Sequence, residues 1–229
     1  LIRHAIKEFK KKIKNAKFSI TTNGTILNKQ LLNTLTRAGA RICVSLDGDE
    51  QTHNESRSNS YDKTIKFIKF LQNIEYEKLR VRMTIQPFYA NRLSQNVSHL
   101  INLGIKEIHL APNYETNWTN SQINSFFNQL EKIPKHKAII EPINTYLNLG
   151  KPFALKKGPY EHTCGLLLTF APNGNIYPCP RLVFEETCKI STSLFAPQIL
   201  LGVANWLELL QTARNKIGSY FFCPANNLK

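Results

Sequence analysis

Lys17-Phe18-Ser19-Ile20-Thr21-Thr22-Asn23-Gly24 and Arg41-Ile42-Cys43-Val44-Ser45-Leu46-Asp47-Gly48 are the two stretches that decide the fold. Each is a short β-branched run ending in a turn dipeptide. Between them Leu31, Leu32, Leu35 and Ala38 recur at the spacing of one helix face. Strand, helix, strand in this order means parallel strands joined by a crossover. The pattern continues outward. Leu79-Arg80-Val81-Arg82-Met83-Thr84-Ile85 and the run from Ile105 to Ala111 read as two further strands, and Ile65, Ile68 and Leu71, then Leu93, Val97, Leu100 and Ile101, mark the helices between. Asn28 and Ser60 suit helix N-caps, while Gly39 and Gly104 close helices just ahead of the next strand. The predicted fold class is α/β, with four strand–helix units in an open parallel sheet or a barrel.

On the N-terminal side, Ile2-Arg3-His4-Ala5-Ile6 already reads as the inside of a helix. On the C-terminal side, helices are expected near 120–132 and 135–149 with Pro134 between them. After Pro152 the texture changes: Leu166 to Phe170, then Pro172-Asn173-Gly174-Asn175, then Ile176-Tyr177-Pro178 predict a β-hairpin with an Asn-Gly turn. A last helix is expected over 203–215. The division expected is 1–150 for the α/β part and 151–229 for the cysteine-bearing part.

With 229 residues and 42% hydrophobic content the chain can bury a sizeable core. It contains no uninterrupted apolar run of about 18 residues and no leader pattern, so neither a membrane span nor a signal peptide is expected, and the cytoplasm is the expected compartment. The formal charge of +14 is spread along the chain. Its densest run, Lys7-Glu8-Phe9-Lys10-Lys11-Lys12, reads as a solvated helix face, and no reading helix or aromatic–basic stripe accompanies the charge, so nucleic-acid binding is not expected. Cys43, Cys164, Cys179, Cys188 and Cys223 lie in a chain without an export signal, which favours metal or catalytic use over disulfides. Cys43, inside a strand-like run, reads as a small buried hydrophobe.

Ligands of parallel α/β folds bind at the carboxyl ends of the strands. There stand Asn23-Gly24 after the first strand and Ser45-Leu46-Asp47-Gly48 after the second. Arg57 follows twelve residues beyond Ser45, in the loop after that strand with His53 between, and an arginine at a sheet mouth can clamp a carboxylate in bidentate fashion. The hairpin brings Cys164 and Cys179 together as Cys-x9-Gly-x4-Cys. Structural zinc favours close pairs such as C-x-x-C, of which the chain has none, whereas iron–sulfur clusters accept widely spaced thiolates.

Taken in order, Thr22-Asn23-Gly24, Ser45-Leu46-Asp47-Gly48 with Arg57, and the cysteine hairpin resemble a radical S-adenosylmethionine enzyme with a SPASM-type C-terminal extension, over roughly residues 15 to 225. The resemblance implies part of a TIM-like (β/α)6 barrel followed by a small auxiliary-cluster domain. It implies that Ser45 and Arg57 bind the carboxylate of S-adenosylmethionine, that Asn23 and Gly24 line its ribose side, and that Leu110 lies near the adenine. It makes Cys164 and Cys179 ligands of an auxiliary 4Fe–4S cluster, with Cys188 and Cys223 as further candidates. Gly202-Val203-Ala204-Asn205 resembles the Gly-Asn stretch that follows the hairpin in such extensions. The activity implied is hydrogen-atom abstraction from a peptide or protein substrate by a 5′-deoxyadenosyl radical, with a flavodoxin or ferredoxin as reductant. The family's C-x3-C-x2-C loop for the catalytic cluster does not occur in the chain, and neither does its glycine-rich acidic segment. Both are expected upstream of Leu1, so that the four strands match the third to sixth of the family barrel. Pro180 follows Cys179 where sulfatase-maturing relatives carry an aspartate base, which argues against sulfatase maturation. The competing readings are a zinc-stabilised binding module using the four C-terminal cysteines and a degenerate family member kept for peptide binding.

Overall fold

The computed structural model describes residues 2–113, 116–134, 137–141, 169–170 and 175–177. The chain divides into two units, Leu1–Phe153 and Ala154–Lys229. In the first, the order is α1 (Ile2–Lys12), β1 (Ser19–Thr22), α2 (Lys29–Arg37), β2 (Arg41–Ser45), α3 (Glu50–Ser56), α4 (Tyr61–Asn73), β3 (Leu79–Ile85), a 3₁₀ turn (Pro87–Arg92), α5 (Leu93–Asn102), β4 (Glu107–Pro112), α6 (Asn120–Glu131) and β5 (Ile139–Glu141). The five strands form one sheet in chain order, each parallel to its neighbour. The Asn28 side chain caps α2 by accepting from the Leu31 amide at 2.9 Å. Gly39 and Gly104 close α2 and α5 at φ +69° and +79°, a conformation that suits glycine.

The sheet is apolar on one face only. Along β3, Leu79, Val81, Met83 and Ile85 are buried, while Arg80, Arg82 and Thr84 alternate with them and stay partly or fully exposed. The buried set joins Ile42, Val44, Leu46, Ile108, Leu110 and Ile140 from the other strands in one cluster with Leu32 and Leu35 of α2, Phe67, Ile68 and Leu71 of α4, and Leu93, Val97 and Leu100 of α5. That face therefore carries the helices and the hydrophobic stabilisation. The opposite face is polar. A parallel strand buried on both faces reads as a continuous apolar run, so the clean alternation in β3 marks a sheet with one apolar and one polar face.

Two expectations are corrected here. The helix expected over 135–149 gives way to β5 at Ile139–Glu141, where Ile140, fully buried, pairs with Ile108. Two adjacent β-branched residues favour the pleated edge over a helix, and burial against β4 rewards it; residues 142–149 lie outside the described residues. The loop expected after β2, carrying His53 and Arg57, contains a short helix, α3, with His53 inside it and Arg57 as its C-cap. Asp49 starts that helix by accepting from the Thr52 amide at 2.9 Å. Ser60 occupies the N-cap position of α4 without a capping hydrogen bond, because its hydroxyl is used elsewhere.

In the second unit β6 (Thr169–Phe170) and β7 (Ile176–Tyr177) pair antiparallel, with Thr169 opposite Tyr177 and Phe170 opposite Ile176; the Asn173-Gly174 turn expected between them lies outside the described residues. Cys164, Cys179, Cys188, Cys223 and the helix expected over 203–215 lie outside the described residues. Among the described residues no helix is long and apolar enough to cross a membrane.

Candidate functional site

The carboxyl ends of β1, β2 and β3 carry the polar residues picked out by their place after strands. After β1, Asn23 and Gly24 make a tight turn: the Gly24 amide donates to Thr22 Oγ1 at 3.1 Å, and Asn23 Oδ1 accepts from both the amide and the hydroxyl of Thr25. Gly24 has φ +69°, and a Cβ there would stand 3.1 Å from Val44 Cγ1. The turn is fastened to α4 by Thr64, whose hydroxyl donates to the Asn23 carbonyl at 2.9 Å.

After β2 the chain builds a buried ion pair. Asp47, only 3% exposed, accepts from Arg57 Nε at 2.5 Å and from Arg57 Nη2 at 3.2 Å, and its Oδ1 also accepts from the Thr84 amide at the end of β3 at 2.8 Å. Arg57 Nη2 reaches Thr84 Oγ1 at 3.3 Å. The arginine is thus held on its Nε–Nη2 edge. Among the described residues nothing takes the two Nη1 hydrogens.

His53 locks the loop from behind. It is fully buried, its Nδ1 accepts from the Asp47 amide at 3.1 Å, and its Nε2 lies 3.0 Å from Ser60 Oγ. The Ser60 hydroxyl donates its own hydrogen to the Arg57 carbonyl at 2.7 Å, so Nε2 must be the donor to Ser60. This is the neutral imidazole with its proton on Nε2. Burial pushes the His53 pKa down, and the Arg57 charge adds to that, against the opposing pull of Asp47.

A second anchor fixes the far side of the same loop. Gly48 has φ +109°, and a Cβ on it would fall 2.3 Å from Asn96 Cγ. Asn96, 1% exposed on α5, accepts from the Asp49 amide at 3.1 Å and from Thr52 Oγ1 at 3.3 Å. Asp49 pairs with Arg92 at 2.7 Å. Burial alone would raise the Asp49 pKa, but the hydrogen bonds from Thr52 and the Arg92 charge outweigh it, and the net direction is down.

Register lays out the polar face. Thr21, Cys43, Arg80 and Glu107 lie side by side across β1 to β4, and Ser45, Arg82, His109 and Glu141 lie side by side across β2 to β5. The Cys43 thiol is pushed up in pKa by burial, partly offset by the charges of Arg80 and Arg82 and a hydrogen bond with Thr21, which places these groups around it. Cys43 is buried as expected, but by polar neighbours on this face. Arg80 pairs with Glu107 through Nη2, and Glu107 also meets His109 Nε2 at 3.2 Å.

The structure brings Arg57 and Asp47 together at the mouth, with Ser45 two residues before Asp47 at the end of the same strand. It seats the Leu110 side chain, 7% exposed, in the helix-facing core, leaving its main chain at the strand. Reading the sequence by strand ends missed Thr84, Asn96 and the charged row of Arg80, Arg82, Glu107 and His109. The polar alternation Arg80-x-Arg82-x-Thr84 was the available signal for the row. Asn96 carried none, because it is brought to the loop from 47 residues away. The surface groove between α1 and α2, lined among others by Arg3, Lys10 and Arg37, contains none of these strand-end residues.

No family model matches the chain, and no curated protein matches it. Solved structures do. Native anSMEcpe with bound AdoMet aligns at a TM-score of 0.66 with 15% identity, over 90% of this chain and 60% of that one. The same enzyme with bound AdoMet and the Kp18Cys peptide aligns at 0.66 with 15% identity, over 92% and 65%. SuiB of Streptococcus suis bound to S-adenosylmethionine aligns at 0.55 with 16% identity, over 88% and 51%. The chain therefore spans about 60% of the first of these proteins. These neighbours are radical S-adenosylmethionine peptide maturases, and the fold they share with this chain is the one its motifs resemble.

Proposed function

We propose that this chain is part of a radical S-adenosylmethionine enzyme that modifies a peptide or protein, and that the mouth formed by Ser45, Asp47 and Arg57 holds the cofactor's carboxylate. The observation that carries the reading is the held arginine. Its Nε–Nη2 edge is spent on Asp47 and Thr84, which leaves Nη1 as a rigid donor at the strand ends. A carboxylate fits that donor, and the Ser45 hydroxyl can supply a second hydrogen bond. Asn23 and Gly24 are assigned to the ribose side, and the main chain at Leu110 to the adenine. When bound, S-adenosylmethionine supplies hydrogen-atom abstraction chemistry that no amino-acid side chain offers.

The residues of this chain bind and orient. Asp47 fixes the guanidinium, His53 fixes the Asp47 main chain, and Thr84 closes the third side, so little reorganisation is needed when the anion arrives. The chain has no C-x3-C-x2-C triplet, so its own residues do not fit a catalytic cluster, and no step through that cluster is assigned to them. Cys164 and Cys179 are assigned to an auxiliary 4Fe–4S cluster, with Cys188 and Cys223 as further ligands. A flavodoxin or ferredoxin is the electron donor, and the cytoplasm the compartment.

Calorimetric titration of the full chain with S-adenosylmethionine tests the cofactor site. Binding is expected, weakened about tenfold or more by Arg57→Gln and a few-fold by Ser45→Ala, the scale of one charged and one neutral hydrogen bond. Absence of binding, or binding that Arg57→Gln leaves unchanged, refutes it.

A further inference from the structure

Three arginines, Arg41, Arg80 and Arg82, stand on the polar face of the sheet. Arg80 gives Nη2 to Glu107, yet its Nε is buried and has no acceptor. Two residues along the same face, about 6.6 Å further up the strand, Arg82 is exposed and its side chain makes no hydrogen bond or ion pair among the described residues. Arg41, also exposed, stands on the same face of β2. Among the described residues the same face carries two carboxylates, Glu107 and Glu141, and Glu107 is taken up by Arg80 and His109. The buried Arg80 Nε is the donor whose lack of an acceptor is costly, and Arg82 beside it offers a guanidinium with no side-chain partner among the described residues.

We propose that Arg82 is the receptor for a carboxylate that enters along this face between Ser45 and His109, and that the carboxylate is an aspartate or glutamate side chain of the peptide substrate. The planar fork of a guanidinium matches a carboxylate. The register puts Arg82 directly opposite Ser45. A side chain held there brings its peptide beside the group that Ser45 and Arg57 hold. The carrier's being a peptide rests on the function proposed above; the carboxylate is read from the face alone. The cofactor's own methionine carboxylate has the same chemistry, so the test separates the two.

Arginine Nε–H correlation spectra of the full ¹⁵N-labelled chain are recorded during titration with N-acetylglutamate N-methylamide. N-acetylglutamine N-methylamide is the neutral control, and both titrations are repeated with saturating S-adenosylmethionine. The expected result is a saturable shift of the Arg82 Nε–H with the acid and not the amide, unchanged by S-adenosylmethionine. Arg82→Gln should weaken acid binding about tenfold or more, and Arg82→Lys less, as loss of a fork outweighs loss of one contact. The rest of each spectrum reports that the variant is folded. No shift, an equal shift with the amide, tighter binding of inorganic phosphate, or full affinity in Arg82→Gln overturns the proposal. Displacement of the acid by S-adenosylmethionine also overturns it and gives Arg82 to the cofactor. Glutamate binding without cofactor binding would sink the cofactor reading alone, and cofactor binding with a silent Arg82 would sink this one alone.

Discussion

Asp47 grips Arg57 along one edge, Oδ2 to Nε at 2.5 Å and Oδ1 to Nη2 at 3.2 Å, and the same Oδ1 takes the Thr84 amide at 2.8 Å. One carboxylate therefore satisfies donors from α3's end and from β3 while itself nearly sealed from water. The pair converts a long, freely rotating side chain into a fixed fork. Its partners leave Nη1 as the only edge through which the arginine can act on a ligand.

Removing the carboxylate should be felt in stability and in ligand binding together. Asp47→Ala leaves the Thr84 amide without an acceptor and the guanidinium with only Thr84 Oγ1, at 3.3 Å, an expected loss of about 3 kcal/mol, since breaking a buried pair strands its partner. Asp47→Asn keeps one acceptor of the same shape and should lose about half as much. Urea denaturation gives the stability order, and titration with S-adenosylmethionine should give the same order of affinity. Equal losses in the two variants would mean that the charge of Asp47 is not what holds Arg57.

His53 should make stability depend on pH near neutrality. Its folded pKa lies below its unfolded value because burial disfavours the charged ring. The unfolded chain then binds more protons, so stability is complete above about pH 6.5 and falls as the pH drops below it, until the folded pKa is reached. Protonation would also put a hydrogen on Nδ1, where the Asp47 amide now donates. Unfolding free energies between about pH 5.5 and 7.5 should fall towards acid in the wild type and much less in His53→Gln. A parallel slope in both proteins would assign the effect to the carboxylates.

The sheet was legible because its information is local. β3 lies where its alternation puts it, and Asn28, Gly39 and Gly104 act at the helix ends their chemistry predicts. β5 was misread as helix because three residues are too few to show a period, and what makes them a strand is the neighbouring Glu107-Ile108-His109. The site divides in the same way. Ser45, Asp47 and Arg57 stand close in sequence after one strand, so position alone marked them. Thr84 and Asn96 reach the loop from 37 and 47 residues away, and nothing in their own neighbourhoods announces it.

The cysteines assigned to the auxiliary cluster make a prediction of their own. Reconstituted anaerobically with iron and sulfide, the chain should turn brown and hold iron and inorganic sulfide in equal amounts. Cys164→Ser and Cys179→Ser should each abolish this, whereas Cys43→Ser, a buried residue of the sheet, should leave it intact. Colourless protein carrying zinc at the same cysteines would favour the binding-module reading instead.

Gly48 and Asn96 should behave as one unit. A methyl group at Gly48 would fall within 2.3 Å of Asn96 Cγ, at a backbone φ of +109° that side chains rarely adopt. Gly48→Ala therefore combines overpacking with backbone strain, for an expected loss of about 3 kcal/mol. Asn96→Ala alone strips the acceptor from the Asp49 amide and the Thr52 hydroxyl, for about 1–2 kcal/mol. In the double variant the Cγ and Oδ1 contacts are gone, but the residue-96 Cβ at 2.6 Å and the strained φ remain, so the combined loss should fall short of the sum of the two by less than about 1 kcal/mol. Additivity in a double-mutant cycle by urea denaturation would place the whole cost of Gly48→Ala in the backbone and the contact with the residue-96 Cβ. Because Asp47 is the residue before Gly48, Gly48→Ala should also displace the carboxylate and weaken S-adenosylmethionine binding. Asn96→Ala should restore part of that affinity in the double variant, even though neither residue touches the proposed ligand.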